Sequence, residues 1–181
     1  MISRLSNRLS YFYKFLSRKQ AIIRSKKEFR DVYTIKDPFF ISVIPGSLHV
    51  VDFFLKTIPK DIKFILILNG IDKWEQYWVQ KNIRNYTKIR ISTTITHSQV
   101  LDLILDNIST PFGIVDYDCF IFDHSYFNKI RLLEPNSLVN ALFFYKNEKL
   151  NLEFPNTHFL FFNTQIIQSL KQKRFSDTVS E

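Results

Sequence analysis

From residue 38 onward the chain repeats one pattern: a short run of Phe, Ile, Leu and Val, a turn, then a polar stretch with helical spacing. A strand apolar on consecutive residues has both faces to cover, because alternate side chains point to opposite sides of a sheet. Phe39 to Ile44 predicts such a strand, stopped by the turn-formers Pro45 and Gly46, with Ser47 placed to cap a helix over Leu48 to Lys56. Ile62 to Leu68 predicts a second strand, ended by Asn69 and Gly70, a pair that tolerates positive φ. Asp72 opens an amphipathic helix running to about Ile83, with Trp74 and Trp78 one turn apart and read as core rather than as a sugar-stacking platform. Lys88 to Ser92 predicts a third strand, Thr96 a cap for a helix over His97 to Asn107, and Phe112 to Val115 a fourth strand running into Asp116, Tyr117 and Asp118. Strand-helix alternation of this kind implies an α/β fold of right-handed βαβ units, a mostly parallel central sheet with helices on both faces. Ligands of such sheets sit beyond the carboxyl ends of the strands, where all the conspicuous polar turns fall. Past residue 130 the pattern loosens: Leu138 to Tyr145 and His158 to Phe162 read as strands, Thr164 to Lys173 as a last helix, and the tail after Arg174 as frayed.

Charge divides the chain differently. Residues 1–30 hold nine of the 25 Lys and Arg but, in Glu28, only one of the 17 Asp and Glu, so the whole +8 lies there and the remainder balances sixteen against sixteen. Nucleic-acid binders spread basic residues over a folded face, so a neutral body argues against a nucleic-acid partner. Ile2, Leu5, Leu9, Phe12 and Leu16 recur at helical spacing, with Arg4, Arg8, Lys14 and Arg18 largely off that stripe. Residues 1–30 therefore read as a basic amphipathic helical segment, distinct from a domain over residues 35–181. Three uses of the segment stay open: lying on an anionic membrane surface, docking on the body, or an organellar presequence. No apolar run approaches the ~20 residues of a membrane span. The single Cys119 supports neither an internal disulfide nor a Cys-rich zinc site, so a reducing, cytoplasmic location is expected, peripheral at the membrane where residues 1–30 lie on a bilayer.

With three glycines, none suitably spaced, the chain has no phosphate loop, dinucleotide fingerprint or serine-hydrolase elbow. What remains is Asp116 and Asp118 directly after an apolar strand. In extended chain such residues point the same way, and paired carboxylates suit Mg²⁺ or Mn²⁺ bound together with a diphosphate.

The stretch from His97 through Asp102, followed by Thr110 to Phe122 around Asp116-Tyr117-Asp118, resembles the nucleotide-binding half of GT-A glycosyltransferases of the family-2-like group. The likeness covers roughly residues 38–125, and more weakly His158 to Thr164. It implies a GT-A, Rossmann-like three-layer sandwich and transfer of a sugar from a nucleotide-diphosphate donor to an unidentified acceptor. It further implies that Asp116 and Asp118 hold Mn²⁺ or Mg²⁺ and the donor diphosphate, with Asp102, Asn69 and the Pro45 loop near the nucleotide. His97 is either part of that site or a helix cap, and His158 either a third metal ligand or a strand-edge histidine. Cys119 reads as a small buried residue. Sixty-three residues follow Asp118, fewer than such enzymes use to build an acceptor site. The catalytic base is accordingly unassigned among Asp123, Glu134, Glu148 and Glu153, and a non-catalytic relative that binds nucleotide-sugar or a protein partner is the alternative.

Overall fold

The computed structural model describes residues 2–134, 136–149 and 151–169, with the backbone alone for residues 2–12 and 31. The chain runs α1 (Ile2–Ser25), a 3-10 segment (Lys26–Asp31), β1 (Phe39–Val43), α2 (Leu48–Thr57), β2 (Phe64–Asn69), α3 (Lys73–Asn82), β3 (Thr87–Ile91), α4 (His97–Leu105) and β4 (Phe112–Val115). There follow α5 (Ser125–Lys129), β5 (Val139–Ala141), β6 (Phe144–Asn147), β7 (Leu152–Pro155), β8 (Phe159–Phe162) and α6 (Thr164–Ser169). Six strands make one sheet in the order β3-β2-β1-β4-β8-β5, parallel from β3 to β4, with β8 antiparallel to both its neighbours.

The sheet is covered on both faces, as consecutive apolar residues require. Phe39, Ile41, Val43, Phe64, Leu66 and Leu68 point into one core, closed by Val51 and Phe54 of α2, Val79 of α3 and Phe127 of α5. Phe40, Ile65, Ile67, Ile89 and Ile114 point into the other, closed by Val100, Leu103 and Ile104 of α4. The same second core takes in Ala21, Phe29 and Val32, all at most 2% exposed. The segment expected as an appendage thus belongs, from Ala21 on, to the sandwich. Of the expected stripe, Leu16 is exposed, and the side chains of Ile2, Leu5, Leu9 and Phe12 lie outside the described residues.

Several local expectations need correction. Trp74, in the first turn of α3, is 82% exposed rather than core, whereas Trp78 one turn on packs partly against the first core. Ser47 precedes α2 but caps nothing: its hydroxyl donates back to the Ile44 carbonyl at 2.7 Å. The single strand expected over Leu138 to Tyr145 is two, since the chain leaves the sheet after Ala141 and β6 pairs with β7 in a separate hairpin. Lys171 to Lys173 and the tail expected to fray lie outside the described residues.

Candidate functional site at the switch point

Strand β1 pairs with β2 on one side and β4 on the other. The chain builds outward to β3 and then returns through α4 to start β4, so the direction of winding reverses between β1 and β4. Loops diverge at such a point and leave a crevice at the carboxyl ends. Pro45-Gly46-Ser47 and Asp116-Tyr117-Asp118 are the loops that border it.

Helix α3 fixes the first of these. Its N-terminus carries a capping box in which the Asp72 side chain accepts from Glu75 N–H at 2.8 Å and Glu75 accepts from Asp72 N–H at 3.0 Å. The other Glu75 oxygen accepts the Gly46 N–H at 2.7 Å, tying the β1 loop to the β2 loop. Gly46 has φ +83°, a conformation that favours glycine. Sequence reading missed this role of Glu75: its place three residues after Asp72 signals a cap, and nothing local signals the second bond.

Strand β8 fixes the other. It runs antiparallel to β4 with Val115 opposite Phe159, which sets Asp116 opposite His158. The Asp116 N–H donates to the His158 carbonyl at 2.9 Å, and His158 Nδ1 lies 2.8 Å from Asp116 Oδ2. An ionised carboxylate only accepts, so Nδ1 carries the proton in this pair. Beneath it Asn156, 3% exposed, accepts the His158 N–H at 2.8 Å, and its amide nitrogen donates to the Tyr145 hydroxyl at 3.2 Å. Asn156 also went unread in the sequence, although Asn side chains commonly accept the backbone N–H two residues on in such an Asx turn.

Asp118 reaches the same place by a different route from the one expected. The chain does not stay extended after Val115: Cys119 N–H bonds the Asp116 carbonyl at 3.0 Å, and Asp118 lies exposed in the resulting turn. It lines a groove of about 300 Å³ with Cys119, Leu142, Phe143, Asn156 and His158. Among the described residues no three His, Cys, Asp or Glu side chains form a ready-made metal cluster. The donors present, two carboxylates and an imidazole, nonetheless suit a hard or borderline divalent ion completed by phosphate oxygens. Burial, and then the charges of Asp116 and Asp118, push the half-buried Cys119 thiol up, which keeps it protonated and a poor nucleophile.

The remaining expected residues are not gathered there. Asn69 is buried, and its carboxamide is taken up on both sides by the Ile95 backbone at 2.9 and 3.0 Å, which holds the chain after β3. His97 is exposed at the start of α4, two residues after the Ile95 backbone that Asn69 holds, and does not line the groove. Asp102 is buried on the second-core face, lining a cleft of about 260 Å³ with Phe15, Lys19 and Lys26 of the N-terminal segment. None of Asp123, Glu134, Glu148 and Glu153 lines the groove. Asp123 bonds Ser125 and faces Lys129, and the Ser125 hydrogen bonds hold its carboxyl below the ordinary range, a poor setting for a base.

A three-layer α/β sandwich with acidic and imidazole side chains collected at its switch point is of the class that binds ligands in that crevice. More specifically, the model of the StrH glycosyltransferase N-terminal domain matches residues 14–167, and the chain belongs to that family. The match begins inside the basic segment, as does the packed core. A relative from Streptomyces griseus, dTDP-dihydrostreptose–streptidine-6-phosphate dihydrostreptosyltransferase, is 27% identical over 107 residues. That alignment takes in 59% of this chain and 28% of the relative, so the chain spans less than a third of the enzyme it resembles. Among the described residues no helix is long and apolar enough to cross a membrane.

Proposed function

We propose that this domain binds a nucleotide-diphosphate sugar in the crevice between the β1 and β4 loops and serves transfer of that sugar to an acceptor. The observation that carries the reading is the Asp116–His158 pair, set by β4–β8 register at the switch point of a glycosyltransferase-family domain. Asp116 and Asp118 hold Mn²⁺ or Mg²⁺, and the ion when bound neutralises charge developing on the departing diphosphate. His158 holds the Asp116 carboxylate in its rotamer through Nδ1, with Asn156 fixing the backbone from which His158 projects. The Nδ1 contact leaves the Nε2 lone pair of His158 for the expected role as third metal ligand. The Glu75–Gly46 bond keeps the β1 loop down, leaving its rim to the nucleotide.

The test is thermal unfolding against nucleotide diphosphates and nucleotide-sugars, dTDP-linked ones first, with Mn²⁺ and with chelator, beside Asp118→Ala and His158→Ala. A ligand at a hundred times its Kd stabilises by about 2.7 kcal/mol, and each kcal/mol moves the midpoint of a domain this size by roughly 2–4 °C. The expected result is a metal-dependent shift lost in Asp118→Ala and reduced in His158→Ala. No shift with any donor overturns the reading, and a shift without turnover assigns the domain to binding alone.

A further inference from the structure

The edge of the sheet that carries the switch point is flanked by two projections. On one flank, α1 and α4 run side by side: Ser17 bonds Thr93 just beyond β3 at 3.1 Å, Phe15 and Lys19 line a cleft with Gln99 and Asp102, and Lys26 pairs with Asp106. Both helices therefore run away from this edge, and the thirteen α1 residues before Phe15 extend about 20 Å beyond the start of α4, on the side where the strands end. Those residues include Arg4, Arg8 and Lys14 and no acid, and Tyr13 and Phe15 beside them are more than 60% exposed.

On the other flank, β5 is parallel to β4 and ends at the same edge, where the chain leaves as the β6–β7 hairpin and returns through Asn156 to His158. A free two-stranded hairpin is marginal in water, and this one bears Leu142, Phe143, Phe144, Tyr145, Leu152 and Phe154, each 38–59% exposed. Exposed apolar surface of that extent marks an interaction site. Cations on one projection and aromatic and aliphatic side chains on both match the polar and apolar layers of an anionic bilayer surface, where cations are drawn to the headgroups and aromatic rings settle at headgroup depth.

We infer that the domain docks this edge on an anionic bilayer, with the groove between the two projections facing it, and, resting on the transfer proposed above, that the acceptor is presented from that surface. The full chain is to be co-sedimented with vesicles of phosphatidylcholine alone or with one-third phosphatidylglycerol, at low and high salt. Retention on the anionic vesicles, weakened by salt, is expected. The Arg4→Gln, Arg8→Gln, Lys14→Gln, Arg18→Gln variant loses binding by roughly tenfold or more, and Leu152→Ser with Phe154→Ser loses severalfold, while both keep the metal-dependent nucleotide shift. Equal binding to neutral and anionic vesicles, no binding to either, or binding untouched by both variants overturns the inference. A lipid-free dimer that either variant disrupts also overturns it, assigning the edge to a second copy. Because the nucleotide shift is read separately, loss of vesicle binding with an intact shift leaves the donor site standing, and the reverse leaves the membrane surface standing.

Discussion

At the scale of single residues, the closest approach at any of the three glycines is between Gly113 and Phe39. A Cβ at Gly113 would lie 2.1 Å from the Phe39 ring, and that ring is itself packed against Phe64, Phe127, Phe159 and Phe161 with centroids 5.3–5.8 Å away. The ring cannot retreat without moving a whole aromatic layer. Gly113→Ala is expected to destabilise the fold by about 1–3 kcal/mol in chemical denaturation, more than an ordinary helix-surface substitution. Cys119 provides a second residue-level prediction. Burial and the flanking carboxylates raise its pKa, so iodoacetamide should modify it slowly at neutral pH. The rate should still be climbing with pH beyond the point at which a free thiol has ionised, and a plateau at the ordinary thiol value would contradict that setting. Neither residue's importance is legible locally, because both derive from what the sheet brings against them.

Among the elements, the βα units up to β4 could be read in the sequence almost to the residue. Their signals are local: consecutive apolar residues in β1, β2 and β4, Asp72 and Thr96 with Glu75 and Gln99 three residues on, glycine after β2. Asp72→Ala should cost about 0.5–2 kcal/mol, the usual range for a lost N-cap. Glu75→Ala removes the acceptor for two N–H groups, Asp72 and Gly46, and should in addition weaken nucleotide binding, whereas Glu75→Gln, with one acceptor oxygen for the two, should restore only part of it. Nucleotide binding unchanged in Glu75→Ala would separate the β1 loop from the site. Past β4 the reading fails for a physical reason. FFYKN has the composition of a strand wherever it pairs, and whether it continues β5 alongside β8 or turns back onto β7 is settled by which partner it meets, not by its own residues.

For the molecule as a whole, the basic segment is the clearest case of a local reading revised by packing. Its charge pattern reads as an appendage, yet Phe29 is 2% exposed and its ring lies 6.4 Å from that of Phe40 in the second core. Phe29→Ala should therefore cost about 3–5 kcal/mol, as for any large core side chain, and a cost near zero would return the segment to a freely attached arm. The sequence by itself determined the α/β class, the two covered faces and the acidic turn after β4, since periodicity, capping residues and turn-formers act within a few residues of one another. Only the tertiary structure decided that β8 enters antiparallel beside β4 and sets His158 on Asp116, and that Asn69, His97 and Asp102 stand apart from that pair. It also decided that both projections leave from the edge bearing the groove. Each of these depends on pairing between segments tens of residues apart, where the gain is shared burial and hydrogen bonding that no local window contains.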